Sequence, residues 1–310
     1  MLRSTFLWLS EDRRARDFVT RNRLARRFAT RFVAGETLES AIAVGRALNA
    51  RGISVSLDLL GESVSSPAET HAARDEVVRT IEAVANAQID GNVSVKLTQL
   101  GLDIATELCA ENMHRVLTRA REVDVFVRID MESSAYTERT LRLFYDVLHP
   151  EFSDLTGVVI QSYLRRSKDD VEELVRRGAR VRLCKGAYAE PAEVAFQERD
   201  EVSASFGRLM RMLLEGGNFP GIATHDDLLI DETVAFAEEH SIAAERFEFQ
   251  MLHGVRRDLQ ESLKAQGYNV RVYVPFGTHW YPYLMRRLAE RPANVAFMAG
   301  SLFKETFKRR

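Results

Sequence analysis

The sequence predicts an α/β fold: a distorted (β/α)8 TIM-type barrel with a helical extension at its N-terminus. Three observations lead there. Eight β-rich runs alternate with helical patterns along the 310 residues, the order that builds parallel sheets. Successive runs start about 31 residues apart, one β/α unit each, and eight units are the number that closes into a barrel. The runs also alternate polar with apolar residues, although parallel strands buried on both faces are usually apolar throughout. A doubly wound open sheet is the alternative architecture.

Residues 1–52 are expected to be a helical arm and residues 53–310 the barrel. The strands are expected at 53–61, 93–100, 125–131, 157–163, 181–186, 221–225, 247–254 and 270–277. Apolar residues recur at i, i+3, i+4 over 68–88, 104–122, 136–148, 168–178, 193–216, 227–240, 257–267 and 279–290, the helical period. In the second strand Val93, Val95 and Leu97 oppose Ser94, Lys96 and Thr98. In the third, Val125, Val127 and Ile129 oppose Phe126, Arg128 and Asp130. In the seventh, Phe247, Phe249 and Met251 oppose Glu248, Gln250 and Leu252. In the eighth, Val270, Val272 and Val274 oppose Arg271 and Tyr273. One face must meet the helices, so the polar face points inward. Buried charge costs several kcal/mol unless paired. The interior is therefore either full of ion pairs or built around a polar ligand, and crowding of polar positions at the strand C-termini favours the ligand.

Composition removes several classes. Basic and acidic residues number 43 and 45, a net charge of −2, which gives no reason to bind nucleic acid. No apolar stretch reaches the roughly 18 residues of a membrane-spanning helix. Two cysteines, Cys109 and Cys184, cannot form a disulfide framework. The glycine-rich dinucleotide fingerprint, the P-loop, the H-E-x-x-H zinc motif and the G-x-S-x-G elbow do not occur. Residues 1–31 hold nine arginines against three acids. They read as an amphipathic arm, with a presequence or a surface for anionic lipid as the other readings. The expected location is cytoplasmic, with peripheral contact to the inner face of the cell membrane.

Two features point to a small anionic ligand. Tyr283, Arg286, Arg287 and Glu290 form one stripe on the last helix. Two arginine forks there suit a carboxylate, although a solvated Arg–Glu face has the same pattern. Lys96, Arg182 and Lys185 are cations near strand ends. A Schiff-base aldolase would use Lys96 or Lys185 as nucleophile. A non-enzymatic binding barrel and another flavin-dependent barrel reductase also stay open.

A set of ordered motifs narrows this. Val93-Ser94-Val95-Lys96-Leu97-Thr98-Gln99-Leu100-Gly101, Arg128-Ile129-Asp130-Met131-Glu132 and Val181-Arg182-Leu183-Cys184-Lys185-Gly186-Ala187-Tyr188 resemble strand motifs of the proline dehydrogenase family. Ala223-Thr224-His225, Phe247-Glu248-Phe249-Gln250-Met251-Leu252-His253-Gly254 and Tyr273-Val274-Pro275-Phe276-Gly277-Thr278-His279 continue it, and Tyr283-Leu284-Met285-Arg286-Arg287-Leu288-Ala289-Glu290 closes it. The length resembles the monofunctional bacterial enzymes. The resemblance implies non-covalent FAD, hydride transfer from L-proline to flavin N5 giving Δ1-pyrroline-5-carboxylate, and electrons passed on to a quinone. It implies that Lys96, Arg286 and Arg287 contact the proline carboxylate. Tyr273, Tyr283 and Leu252 would wall the ring, with Tyr188 and Asp130 lining the pocket. Arg182 and Gln161 would meet the flavin ring, with Asp130, Met131, Ala187 and Gln250 close to the cofactor. Lys185, Gly186, Thr224 and His225 would follow its ribityl and phosphate chain. Asp130, Glu290 and the FAD pyrophosphate would balance the cations, and no general base is assigned. The chain departs from the family pattern with bulky Phe276 and Trp280 before the last helix and with Met131.

Overall fold

Eight parallel strands close on themselves in sequence order, β1 pairing with β8. The computed structural model describes residues 31–61 and 64–290, with backbone alone over 286–290. The strands are β1 (Ser54–Leu59), β2 (Gly91–Val95), β3 (Val127–Ile129), β4 (Thr156–Gln161), β5 (Arg180–Cys184), β6 (Gly221–Ala223), β7 (Glu248–Leu252) and β8 (Asn269–Phe276). Each lies within two residues of its expected start; β2 ends five residues early and the others one or two. After β2 the chain turns at once, Gln99 N donating to Lys96 O and Leu100 N to Leu97 O.

The helices begin with α1 (Leu38–Asn49) and α2 (Pro67–Ala87). Ser66 and Glu69 form a capping box on α2, with Pro67 opening its first turn. Then come α3 (Thr106–Glu122) and α4 (Ser134–Leu143). The latter widens into a π turn at Phe144–Leu148 before α5 (His149–Phe152), just ahead of Pro150, which has no N–H for the ladder. The rest are α6 (Ser167–Arg176), α7 (Arg199–Gly216), α8 (Asp227–Glu239), α9 (Arg257–Ala265) and α10 (Trp280–Glu290).

Two departures from expectation matter for the site. The helical pattern from residue 193 enters a helix only at Arg199. Before it, Ala195 bridges to Leu164, and Phe196 N donates to Tyr163 O at 2.8 Å. The segment after β5 is thereby tied to the end of β4 as a rim loop. The second departure concerns the eighth helix. Ala41, Ile42 and Leu48 of α1 belong to the main core. Trp280, Tyr281, Leu284 and Met285 of α10 instead form a separate cluster with Phe32, Val33 and Leu60 at the C-terminal end of β1. So α1 helps cover β1 and β8, while α10 sits over the mouth. Trp280 spends its bulk in that cluster, and its Nε1 donates to Glu36 at 3.1 Å. Residues 1–30 of the expected arm and the tail after 290 lie outside the described residues.

The apolar strand face packs outward. Val55, Leu57, Val93, Val95, Val127, Ile129, Leu183, Phe249, Val272 and Val274 are each at most 2% exposed in one continuous core. The polar face points inward, as its hydrogen bonds across the barrel demonstrate. At the floor Arg128 Nη1 donates to the carbonyls of Arg180 (2.6 Å) and Val158 (3.3 Å). The Arg128 and Arg180 guanidinium groups lie 4.8 and 4.3 Å from the Phe126 ring centre. A Cβ at Gly157 would stand 2.6 Å from Arg128 Nη1 and 2.2 Å from Arg180 O, so only glycine admits this arginine.

Candidate active site

Four layers of polar side chains rise through the barrel. At the bottom Arg271 Nε reaches both carboxylate oxygens of Glu248, at 2.9 and 3.0 Å. In the middle lies Arg182, 5% exposed. Its Nη2 donates to Ser56 Oγ at 3.1 Å, its Nε to Gln250 Oε1, and its Nη1 to Asp130 Oδ1 at 2.8 Å. Ser56 and Ser94 hydroxyls meet at 3.1 Å beside it. The guanidinium carbon also lies 5.2 Å from the Tyr273 ring centre, within cation–π range.

Asp130 is the hub of the third layer, just past β3. Besides Arg182 it accepts from Tyr273 Oη at 2.6 Å, and Lys96 Nζ stands 3.5 Å away. Lys96 donates to Asp58 Oδ1 at 2.7 Å. Burial pushes the Lys96 ammonium toward its neutral form, but Asp58 and then Asp130 outweigh that and hold it above its ordinary value. A lysine held charged is a poor Schiff-base nucleophile. Lys185, the other aldolase candidate, donates to Asp226 and Ser203 at 2.8 and 2.9 Å. Burial and the neighbouring Asp130 hold the Tyr273 phenol well above its usual range, so it stays a donor.

The rim forms the fourth layer. Gln161 ends β4, 2% exposed. Its Nε2 donates to Glu132 O at 2.7 Å, and its Oε1 has no hydrogen-bond partner among the described residues. Glu132, raised first by burial, accepts from Thr98 N and Oγ1 at 3.1 and 2.6 Å. Gly186 has φ +107°, and a Cβ there would lie 2.3 Å from the Tyr163 ring. The loop carrying Ala187 and Tyr188 can fold over that ring only because residue 186 is glycine. Thr224 Oγ1 accepts from Asp226 N at 3.1 Å. His225 Nε2 accepts from Leu252 N at 2.9 Å, which leaves its ring proton on Nδ1.

Lys96, Asp130, Arg182, Gln250 and Tyr273 are thus brought into one hydrogen-bonded network. Leu252 sits beside Tyr273 in register at the top of β7. Tyr283 is buried in the α10 cluster. Met131 is 7% exposed within the main core. Arg286, Arg287 and Glu290 lie on α10, and their side chains are outside the described residues. Sequence reasoning missed Asp58 as the main counter-charge to Lys96. It also missed Asp226 as the partner of Lys185. Alternation in β1 places Asp58 with Ser56 on the inner face, but nothing in sequence says which cation it meets. Among the described residues no three or more His, Cys, Asp or Glu side chains gather as a metal site would require.

A family model described as "Proline dehydrogenase" matches residues 41–300. Proline dehydrogenase 1 of Bacillus subtilis subsp. natto is 42% identical over 310 residues, covering 98% of this chain and all of that protein. Proline dehydrogenase of Deinococcus radiodurans is 42% identical over 279 residues, 89% of this chain and 90% of the relative. Among solved structures, proline utilization A from Bdellovibrio bacteriovorus, inactivated by N-propargylglycine, superposes with a TM-score of 0.80 at 28% identity. It matches 85% of this chain, which spans about a third (32%) of that longer one. A closed barrel with a polar interior and full-length identity near two-fifths lead to one assignment: this chain belongs to the proline dehydrogenase family.

Proposed function

We propose that the barrel oxidises L-proline to Δ1-pyrroline-5-carboxylate, using a non-covalently held FAD and passing the electrons to a quinone. The observation that carries this is the cluster of Lys96, Asp58, Asp130, Tyr273 and Arg182 at the strand C-termini, in a chain whose full-length relatives are named proline dehydrogenase.

The donor set fits a flavin. Gln161 keeps an unpartnered, buried acceptor, which suits the single ring N–H of an oxidised isoalloxazine. Lys185 is a cation for phosphate, with Ser203 and Thr224 hydroxyls on the same rim. Arg182, Gln161, Gln250, Asp130, Met131 and Ala187 are assigned to the ring side. Lys185, Gly186, Thr224 and His225 are assigned to the ribityl and phosphate side. When bound, the flavin supplies a two-electron acceptor.

The remaining work falls to the chain. Lys96 has three N–H donors, one committed to Asp58, so it can still anchor a carboxylate. Arg286 and Arg287 are assigned the other carboxylate oxygens. The cluster described holds two cations, Lys96 and Arg182, and two carboxylates, Asp58 and Asp130. The α10 arginines therefore provide the excess positive charge that an anionic substrate needs. Tyr188, Leu252, Tyr273 and Tyr283 confine the ring so that its C–N edge is held in near-attack geometry. Tyr273 donates to Asp130, and Asp130 already accepts from two donors, Arg182 and Tyr273, with the Lys96 charge beside it. The amine is taken from solution already neutral, and no general base is assigned.

The purified protein is expected to be yellow and to release FAD on denaturation, read by absorbance of the filtrate. A colourless preparation that FAD cannot reconstitute would sink the flavoenzyme assignment.

No helix among the described residues is long and apolar enough to cross a membrane. Quinone access is assigned to peripheral contact through the arginine-rich residues 1–31 and the basic tail. Each basic residue near an anionic surface contributes on the order of 1 kcal/mol. Co-sedimentation with anionic vesicles is expected to exceed that with neutral ones and to fall as salt rises. Equal binding to both would refute the electrostatic contact.

A further inference from the structure

β5 and β7 are not neighbours, since β6 lies between them. Arg182 of β5 nonetheless donates through Nε to Gln250 Oε1 of β7. β6 permits the crossing because it offers no bulk there. Gly221 pairs with Arg182, and Ala223 pairs with Gln250. A Cβ at Gly221 would stand 2.4 Å from Gln250 Nε2, closer than real contacts allow. The missing side chain leaves room for that amide.

The other end of the amide points down. Gln250 Nε2 donates to Glu248 Oε1 at 2.5 Å. Glu248 is 2% exposed and takes Arg271 Nε on both oxygens. Arg271 Nη1 is itself fixed on Val55 O at 2.8 Å. Burial pushes the Glu248 carboxyl up, but Arg271 beside it more than offsets this and keeps it ionised. A carboxylate can only accept, and an amide has one accepting and one donating end. Arg182, which only donates, and the carboxylate at 248, which only accepts, therefore fix the two ends of the Gln250 amide together. The reverse orientation would set an NH2 against the guanidinium and the amide oxygen against a carboxylate.

We infer that Glu248 is a positioning residue: through the amide of Gln250 it fixes the Arg182 guanidinium, and with it the Arg182–Asp130 pair, beneath the reacting centre. The consequence for catalysis rests on the proposed function, in which Arg182 faces the flavin ring. A cation held there favours the reduced, more negative form of the flavin. An ordinary buried Glu248–Arg271 pair would stabilise the barrel floor without influencing that equilibrium.

The test uses the full-length, FAD-loaded chain. Glu248→Gln keeps the shape but gives residue 248 its own NH2, so the Gln250 amide can turn over. It is expected to lower kcat/KM for proline about 10- to 100-fold. It should also lower the flavin's two-electron reduction equilibrium about tenfold, or ~30 mV, in an anaerobic dye-equilibrium titration. Gly221→Ala, which leaves the Glu248–Arg271 pair intact but crowds the amide, is expected to lower the potential in the same direction. It decides the matter if Glu248→Gln does not fold. Wild-type potential in Glu248→Gln or an unchanged potential in Gly221→Ala would each overturn the inference. A wild-type protein that takes up no flavin, or whose flavin proline does not reduce, refutes the proposed function, and the catalytic part of this inference falls with it.

Discussion

Asp130→Asn is expected to lower kcat/KM for L-proline by about 100-fold or more and to destabilise the fold measurably. Asp130 accepts from Arg182 and Tyr273 at 2.8 and 2.6 Å, with Lys96 at 3.5 Å. Asparagine has one accepting oxygen and an NH2 that must face one of these donors. The change also strips Arg182, whose side chain is only 6% exposed, of its carboxylate. Breaking a buried pair from one side costs about 3–5 kcal/mol. Partial exposure of Asp130 argues for the low end. About 3 kcal/mol, expressed fully in the transition state, corresponds to roughly 150-fold. Steady-state kinetics and urea unfolding measure the two effects separately. A variant within threefold of wild type in kcat/KM would show that this hub lies outside the reacting site.

Lys96→Met is expected to act differently. It removes a carboxylate anchor and leaves Asp58 and Asp130 opposed by Arg182 alone among the described cations of the cluster. A charge-assisted contact is worth about 1.5–3 kcal/mol, or roughly 10- to 150-fold in kcat/KM. The substrate carboxylate is present in ground and transition state alike, so most of the loss should appear in KM. Saturation kinetics with L-proline separate the terms. A fall in kcat with KM unchanged would mean that Lys96 serves the chemistry rather than the anchor.

The barrel was legible because its two strand faces differ so sharply. Val93 and Val95 against Ser94 and Lys96 identify an inner face without any knowledge of partners. Lys96, Asp130, Arg182, Gln250 and Tyr273 follow from that face together with the resemblance of their motifs. Partners across the barrel were not legible. Asp58 and Lys96 are 38 residues apart, and only the parallel pairing of β1 with β2 brings them together. The role of Gly221 is likewise invisible in sequence, because it is defined by a Gln250 amide from the next strand. Helical periodicity from residue 193 misled because it continues into the rim loop that pairs with Leu164. The position of α1 against β1 and β8 could not be foreseen, since periodicity reveals an apolar face but not what covers it.

The most direct test of the account is one anaerobic spectrum of the FAD-loaded protein before and after L-proline. An oxidised flavin spectrum is expected, one that bleaches on proline addition and returns when a soluble quinone is supplied. A flavin spectrum that proline leaves unchanged would contradict the assignment of this site.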